Sequence, residues 1–298
     1  MEQRLLVLSS FSALQFWLSS HGCLADKFSL EKRKMTKLPS PYRMIYKQED
    51  ISIIAEEYRL SLPLHVIADS LETRLHNPSL QVRVRPTAVP EQSYLKINDA
   101  LYICCPELCF LQVASECSEV KLTEIANNLC ARYVINKDAE YLQERRDCIT
   151  NTSSIKKYLG SVGKVRGIEK AKNAIRYALD GSNSPIESKL AVLCMLPFYK
   201  GGFAEGGLVL NDEVKLSAAA AALLGRSSCC CDGVWKKDRV IMEYDSNLVH
   251  LSPEKHAYDK RRATALTLSG YKVITVTAND IRNHQAIENL FRNIRIAR

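Results

Sequence analysis

Residues 240–277, VIMEYDSNLVHLSPEKHAYDKRRATALTLSGYKVITVT, decide how this chain is read. The apolar run from Val240 ends in two acids, Glu243 and Asp245, and His250 follows five residues later. Ser252-Pro253-Glu254 has the form of a helix start, and the helix it opens closes near Ser269-Gly270. That helix carries Lys255, Asp259, Arg262 and Leu266 on one stripe. YKVITV from Tyr271 reads as a second strand. Strand, helix and strand form a β-α-β unit, whose right-handed crossover predicts parallel strands. Acids at the end of an apolar strand are costly to bury, so they call for a partner or a task.

The segment before it, CCCDGVWKKDRVIMEYD (229–245), reads as two strands joined by a charged turn from Lys236 to Arg239. If Trp235 lies opposite Val240, Asp232 falls opposite Glu243. Cross-strand Cβ atoms are about 5 Å apart, and like charges so placed repel. Asp245, two residues beyond Glu243, points to the same face. This register predicts three converging carboxylates, which either take up protons or share a cation. Oxygen donors with room for water suit Mg²⁺ or Mn²⁺ beside a phosphate. A register shifted by one residue would instead leave the acids lining a wet strand end.

Upstream, Ser184-Pro185-Ile186-Glu187 opens a helix, and this S-x-x-E capping box explains Glu187 without any chemistry. Asp259 and Arg262 have the spacing of an ordinary surface pair. The closing helix, from about Asn283, places Ile287, Leu290, Phe291 and Ile294 at core spacing.

SPIES, GGFAEGGLVLN, CDGVW, VIMEYDS, His250, DKRRATAL and GYKVITVT occur in an order that resembles the very-short-patch-repair endonucleases. These belong to the PD-(D/E)XK, or restriction-endonuclease-like, superfamily. The resemblance runs from about Asp180 to the C-terminus and implies an α/β fold with a mixed sheet flanked by helices. It implies that Glu187 is the acid of the first helix, Asp232 that of the PD position and Glu243 that of the (D/E)XK position, the three holding Mg²⁺. Where the superfamily has its lysine, this chain has Asp245. An anion cannot supply that lysine's positive charge, although it could bind a metal or accept a proton. Arg262 or the metal would have to supply the charge. His250 resembles the histidine that follows this strand in the repair endonucleases, which implies a general acid or base; read alone, it is a loop histidine.

The bulk composition fits this picture. The chain has 298 residues, 46% hydrophobic and 25% charged, which predicts two globular domains. A net charge of +8 favours polyanionic partners, and the resemblance implies that the partner is nucleic acid, DNA in particular. Eleven cysteines, several adjacent, suit a reducing cytoplasm better than a disulfide framework. The apolar run from Leu5 to Leu18 is too short to span a bilayer and is read as the first buried element, with no membrane association.

Residues 1–150 read as a separate mixed α/β domain. PLHVIAD from Pro63 and LQVRVRP from Leu80 are predicted strands, followed by a short strand at 102–104. Helices are predicted from Pro106 and Lys121. His21, His65 and His76 are scattered and read as structural or surface residues. Residues 151–180 read as a basic helical connector. Its Lys156, Lys157, Lys164, Arg166, Lys170 and Lys172 would either grip a nucleic-acid backbone or face solvent. Residues 181–298 are then the nuclease-like domain. More distantly, FSALQFW and YICCPELCFLQVA resemble the N-terminal half of AbiEi antitoxins of abortive-infection systems.

Two functions follow as expectations. One is a metal-dependent DNA endonuclease of repair or phage defence, with Asp232 and Glu243 on the metal, Asp245 and His250 handling water, and Arg262 steadying phosphate. The other is a nuclease-fold DNA-binding regulator or antitoxin that has lost catalysis.

Overall fold

The computed structural model describes residues 3–19, 28–45, 47–74, 76–134, 148–245 and 253–298. The chain divides into two compact units, Met1–Ala178 and Leu179–Arg298, both of mixed α/β structure.

The first unit is built around strand β1 (Gln3–Leu8), whose Leu5, Leu6, Val7 and Leu8 are all fully buried. A strand covered on both faces takes a continuous apolar run rather than an alternating one. It continues into helix α1 (Ser10–Leu18), so the N-terminal apolar run is a strand and a helix. After β2 (Tyr42–Met44) and α2 (Gln48–Glu57) come β3 (Leu64–Ala68), β4 (Leu80–Val84), β5 (Tyr94–Lys96) and β6 (Leu101–Cys104). The sheet order is β4-β3-β1-β6-β5, with β2 also pairing β1. Helix α3 (Pro106–Ala114) starts with proline in its first turn and is buried along nearly its whole length. Helix α4 (Glu119–Leu129) follows, capped by the Ser118 hydroxyl.

Helices α5 (Thr152–Ser161) and α6 (Ile168–Ala174) correct the expected connector. Ile155, Leu159, Ile168, Ala171 and Ala174 belong to the core of the first unit, so this segment is part of that unit and links nothing by itself. Its cations occupy the remaining face. Gly167 before α6 has φ +90°, and a Cβ there would lie 2.9 Å from the Ser115 amide nitrogen, so both backbone angle and space require glycine.

The second unit begins with α7 (Pro185–Met195), capped by the Ser184 hydroxyl on the Glu187 amide. β7 (Val209–Lys215), α8 (Ala218–Leu224), β8 (Ser228–Trp235), β9 (Val240–Asp245), α9 (Pro253–Leu268), β10 (Lys272–Thr277) and α10 (His284–Ala297) complete it. The four strands form one sheet in the order β10-β9-β8-β7. β8 and β9 are antiparallel with Trp235 opposite Val240, and β9 and β10 are parallel across the α9 crossover.

Alternation along the strands divides the core in two. Val240 and Met242 pack with Leu190, Ala191 and Cys194 of α7 and with Leu290, Phe291 and Ile294 of α10. Ile241 and Val234 pack on the other face with Leu266 of α9. The result is a mixed sheet flanked by helices. Among the described residues no helix is long and apolar enough to cross a membrane, and every described cysteine is a free thiol.

A candidate acidic site on the second sheet

The site is built on a row running across the sheet. Leu210 pairs with Gly233 and Asp212 with Cys231, which sets Asn211 of β7 across from Asp232 of β8. The β8–β9 pairs run from Trp235–Val240 to Gly233–Met242, and Asp232, next along β8, meets β9 through its side chain. Glu243 pairs with Thr275 of β10. Asn211, Asp232, Glu243 and Thr275 thus come from the four strands in order across the sheet.

Asn211 has φ +48°, a left-handed conformation that asparagine tolerates better than most residues. This twist lets its side chain serve as a bracket. The Asn211 amide donates to Glu187 Oε2 at 2.6 Å and to the Gly181 carbonyl at 3.0 Å. The Asn183 amide nitrogen also donates to Glu187 Oε2, at 2.8 Å. The α7 N-terminus thus does more than cap: it holds a buried carboxylate aimed at the sheet. Asn211 has no counterpart among the sequence-derived site residues. The one signal for it is a polar residue interrupting the apolar run LVL at 208–210.

Asp232 Oδ2 accepts the Tyr244 amide hydrogen at 2.8 Å, so its side chain bonds to the backbone of the neighbouring strand. Glu243 shares a face with Ile241, the face on which α9 packs, and Arg262 reaches it from that helix. The guanidinium makes a two-pronged pair, Nη1 to Oε2 and Nη2 to Oε1, each 2.9 Å. Nη2 also donates to the Cys230 carbonyl at 2.6 Å. Arg262 therefore pairs across to β9, not with Asp259 on its own helix.

Burial pushes the carboxyl groups of Glu187, Asp232 and Glu243 above the ordinary range. Asp232 adds its repulsion to both Glu187 and Glu243. Opposing these shifts are the Asn183 and Asn211 bonds at Glu187, the Tyr244 amide at Asp232, and Arg262 at Glu243. Burial works against the charge on Arg262 too, but Glu243 overcomes it and holds the guanidinium firmly protonated. Three acids thus share one guanidinium, Arg262.

Of the expected acids, the structure places Asp232 close enough to act on both Glu243 and Glu187, and Asp245 is half-buried at the end of β9 across from Thr277. His250 lies outside the described residues. Of the six cations expected to contact nucleic acid, Lys170 donates to the Cys117 carbonyl at 2.9 Å and Lys172 pairs with Glu169 on its own helix. Lys156, Lys157, Lys164 and Arg166 are exposed, and all six belong to the first unit.

The carboxylates as they stand do not fit a resident cation. Among the described residues no group of three His, Cys, Asp or Glu side chains could hold a metal ion, and both oxygens of Glu243 are occupied by Arg262. What the cluster offers chemically is carboxyl groups of raised proton affinity beside a fixed guanidinium. No family model, curated protein or solved structure matches the chain.

Proposed function

We propose that the second unit is a DNA endonuclease domain of the restriction-endonuclease-like kind, hydrolysing phosphodiester bonds at the row Asp232–Glu243. One observation carries the reading. Burial raises the proton affinity of Glu187, Asp232 and Glu243, Asp232 adds its repulsion to the other two, and Arg262 is fixed on Glu243. A stable fold has little reason to collect them. The mixed sheet flanked by helices also suits the resemblance drawn from the motifs.

Arg262 supplies the positive charge that Asp245 cannot, and in this role it would steady the phosphate. A carboxylate of raised pKa, Asp232 or Glu187, would take the proton from the attacking water, because a base near the operating pH transfers protons most effectively. Dependence on Mg²⁺ or Mn²⁺ belongs to the proposal as a variable to be measured, and no step is assigned to the ion.

A second reading, a nuclease-fold DNA-binding regulator without catalysis, is favoured by the closed Glu243–Arg262 pair. A plasmid-nicking assay of the full chain, with Mg²⁺, Mn²⁺ or EDTA, separates the two. The first reading expects nicking that falls by roughly a hundredfold or more in Asp232→Ala and in Glu243→Ala. Equal nicking by wild type and both variants would refute it. Salt-sensitive DNA binding with no cleavage under either metal would support the second reading.

A further inference from the structure

The first unit contains a cavity of about 700 Å³ that the acidic site does not use. It is bounded by β4, by the C-terminal half of α3 and by the turn between α5 and α6. Three arginines from separate parts of the chain line it: Arg74 from the loop before β4, Arg83 from β4 and Arg166 from the α5–α6 turn. Glu116 is the only acid among the lining residues, and it pairs with Arg83. The remaining wall is largely aliphatic and includes Val82, Leu108 and Leu111.

The arrangement is electrostatically incomplete. Arg83 Nε is buried without a partner among the described residues, although the guanidinium tip reaches Glu116. Burial and the charge of Arg166 both weaken the hold of Arg83 on its proton. His65 of β3 lies one pair from Arg83 on the same face, since it pairs with Gln81, and its Nδ1 is likewise buried without a partner. Burial first, and Arg83 second, keep that imidazole from charging. A neighbourhood of three guanidiniums and one carboxylate carries two positive charges in excess, which a phosphate would balance, and guanidiniums are groups that phosphate oxygens pair with well.

We propose that this cavity binds a small phosphomonoester with an apolar or flat body, of the size of a nucleoside monophosphate. The phosphate would sit between the guanidiniums of Arg83 and Arg166, and the body would lie along the aliphatic wall. The volume falls within the range of small-ligand sites, which combine apolar walls with a few convergent polar groups. A bare anion would leave that wall unused. Binding here is independent of any activity at the second unit.

Isothermal titration of the full chain with adenosine 5′-monophosphate, uridine 5′-monophosphate, adenosine, inorganic phosphate and a single-stranded DNA 12-mer tests the proposal. At least one monophosphate is expected to bind with a Kd below about 1 mM, and adenosine and inorganic phosphate about tenfold or more weaker. Arg166→Gln and Arg74→Gln, both at exposed positions, should each weaken that monophosphate about tenfold while leaving the circular dichroism spectrum unchanged. Absence of binding by both monophosphates, equal binding in the two variants, or inorganic phosphate as tight as the nucleotides would overturn it. So would a 12-mer that binds through Arg166 while the monophosphates do not, which would make the cavity part of a nucleic-acid track.

Discussion

Three glutamates of this protein are buried or nearly so against arginine, and the contrast between them separates structure from function. Glu107 of the first unit, 4% exposed at its side chain, is held by Arg33 and by the Thr150 hydroxyl at 2.5 Å. Glu205 of the second unit, 7% exposed, accepts from both Arg295 and Arg298 of α10. In each case positive charge equals or exceeds negative. Glu243 has one arginine but also the repelling carboxyl of Asp232, which acts on Glu187 as well. The first two pairings fasten a loop and a C-terminal helix, whereas the third accumulates a charge that the fold does not need.

Mutation should break this comparison in a graded way. Glu107→Ala should cost most, about 3–5 kcal/mol in urea unfolding, because it strands Arg33, itself only 8% exposed. Glu205→Gln should cost less, roughly 1–3 kcal/mol, since Arg295 is half exposed and can turn to water. Arg298 retains Asp238 as a partner as well. Asp232→Asn should have the opposite sign, stabilising by about 0.5–2 kcal/mol at neutral pH, as expected where function maintains a destabilising group. The asparagine can still accept the Tyr244 amide hydrogen, but it no longer repels Glu187 and Glu243. The two tryptophans, Trp17 and Trp235, lie in different units, so a Trp17→Phe background reports on the second unit alone.

The smallest effect sharpens the comparison through pH. The three site carboxyls have raised folded-state pKa values, so the native state holds more protons than the unfolded chain from about pH 4 up to those raised values. Their contribution to stability is therefore greatest in acid and declines as pH rises through that window. The urea midpoint of the second unit should fall as pH rises above the ordinary carboxylate range, and less steeply in Asp232→Asn. A midpoint that rises with pH there in wild type, or a slope unchanged by the substitution, would contradict the raised proton affinity of the three acids.

Much of this was legible in the sequence for identifiable reasons. The β8–β9 register followed from two apolar runs about a charged turn, because a one-residue slip would send every core side chain to solvent. The parallel β9–β10 pairing followed from the α9 crossover, and the cap at Ser184 from local hydrogen bonding. Other features depended on tertiary context. The 151–180 segment reads as a connector because its cations dominate the pattern, whereas Ile155, Leu159, Ile168 and Ala171 hold it to the core. Asn211 became visible only through its left-handed backbone, and Arg262 was matched first with Asp259, the neighbour in sequence, when its partner lay across the sheet.

Asp232→Asn brings the two halves of the account into one sample. Urea unfolding followed by Trp235 fluorescence and plasmid nicking with Mg²⁺ should be measured on the same preparation, beside wild type. The account expects the variant to be more stable than wild type and to have lost nicking. A variant that is less stable, or that nicks DNA as fast as wild type, would mean that the acidic row serves the fold and not the chemistry.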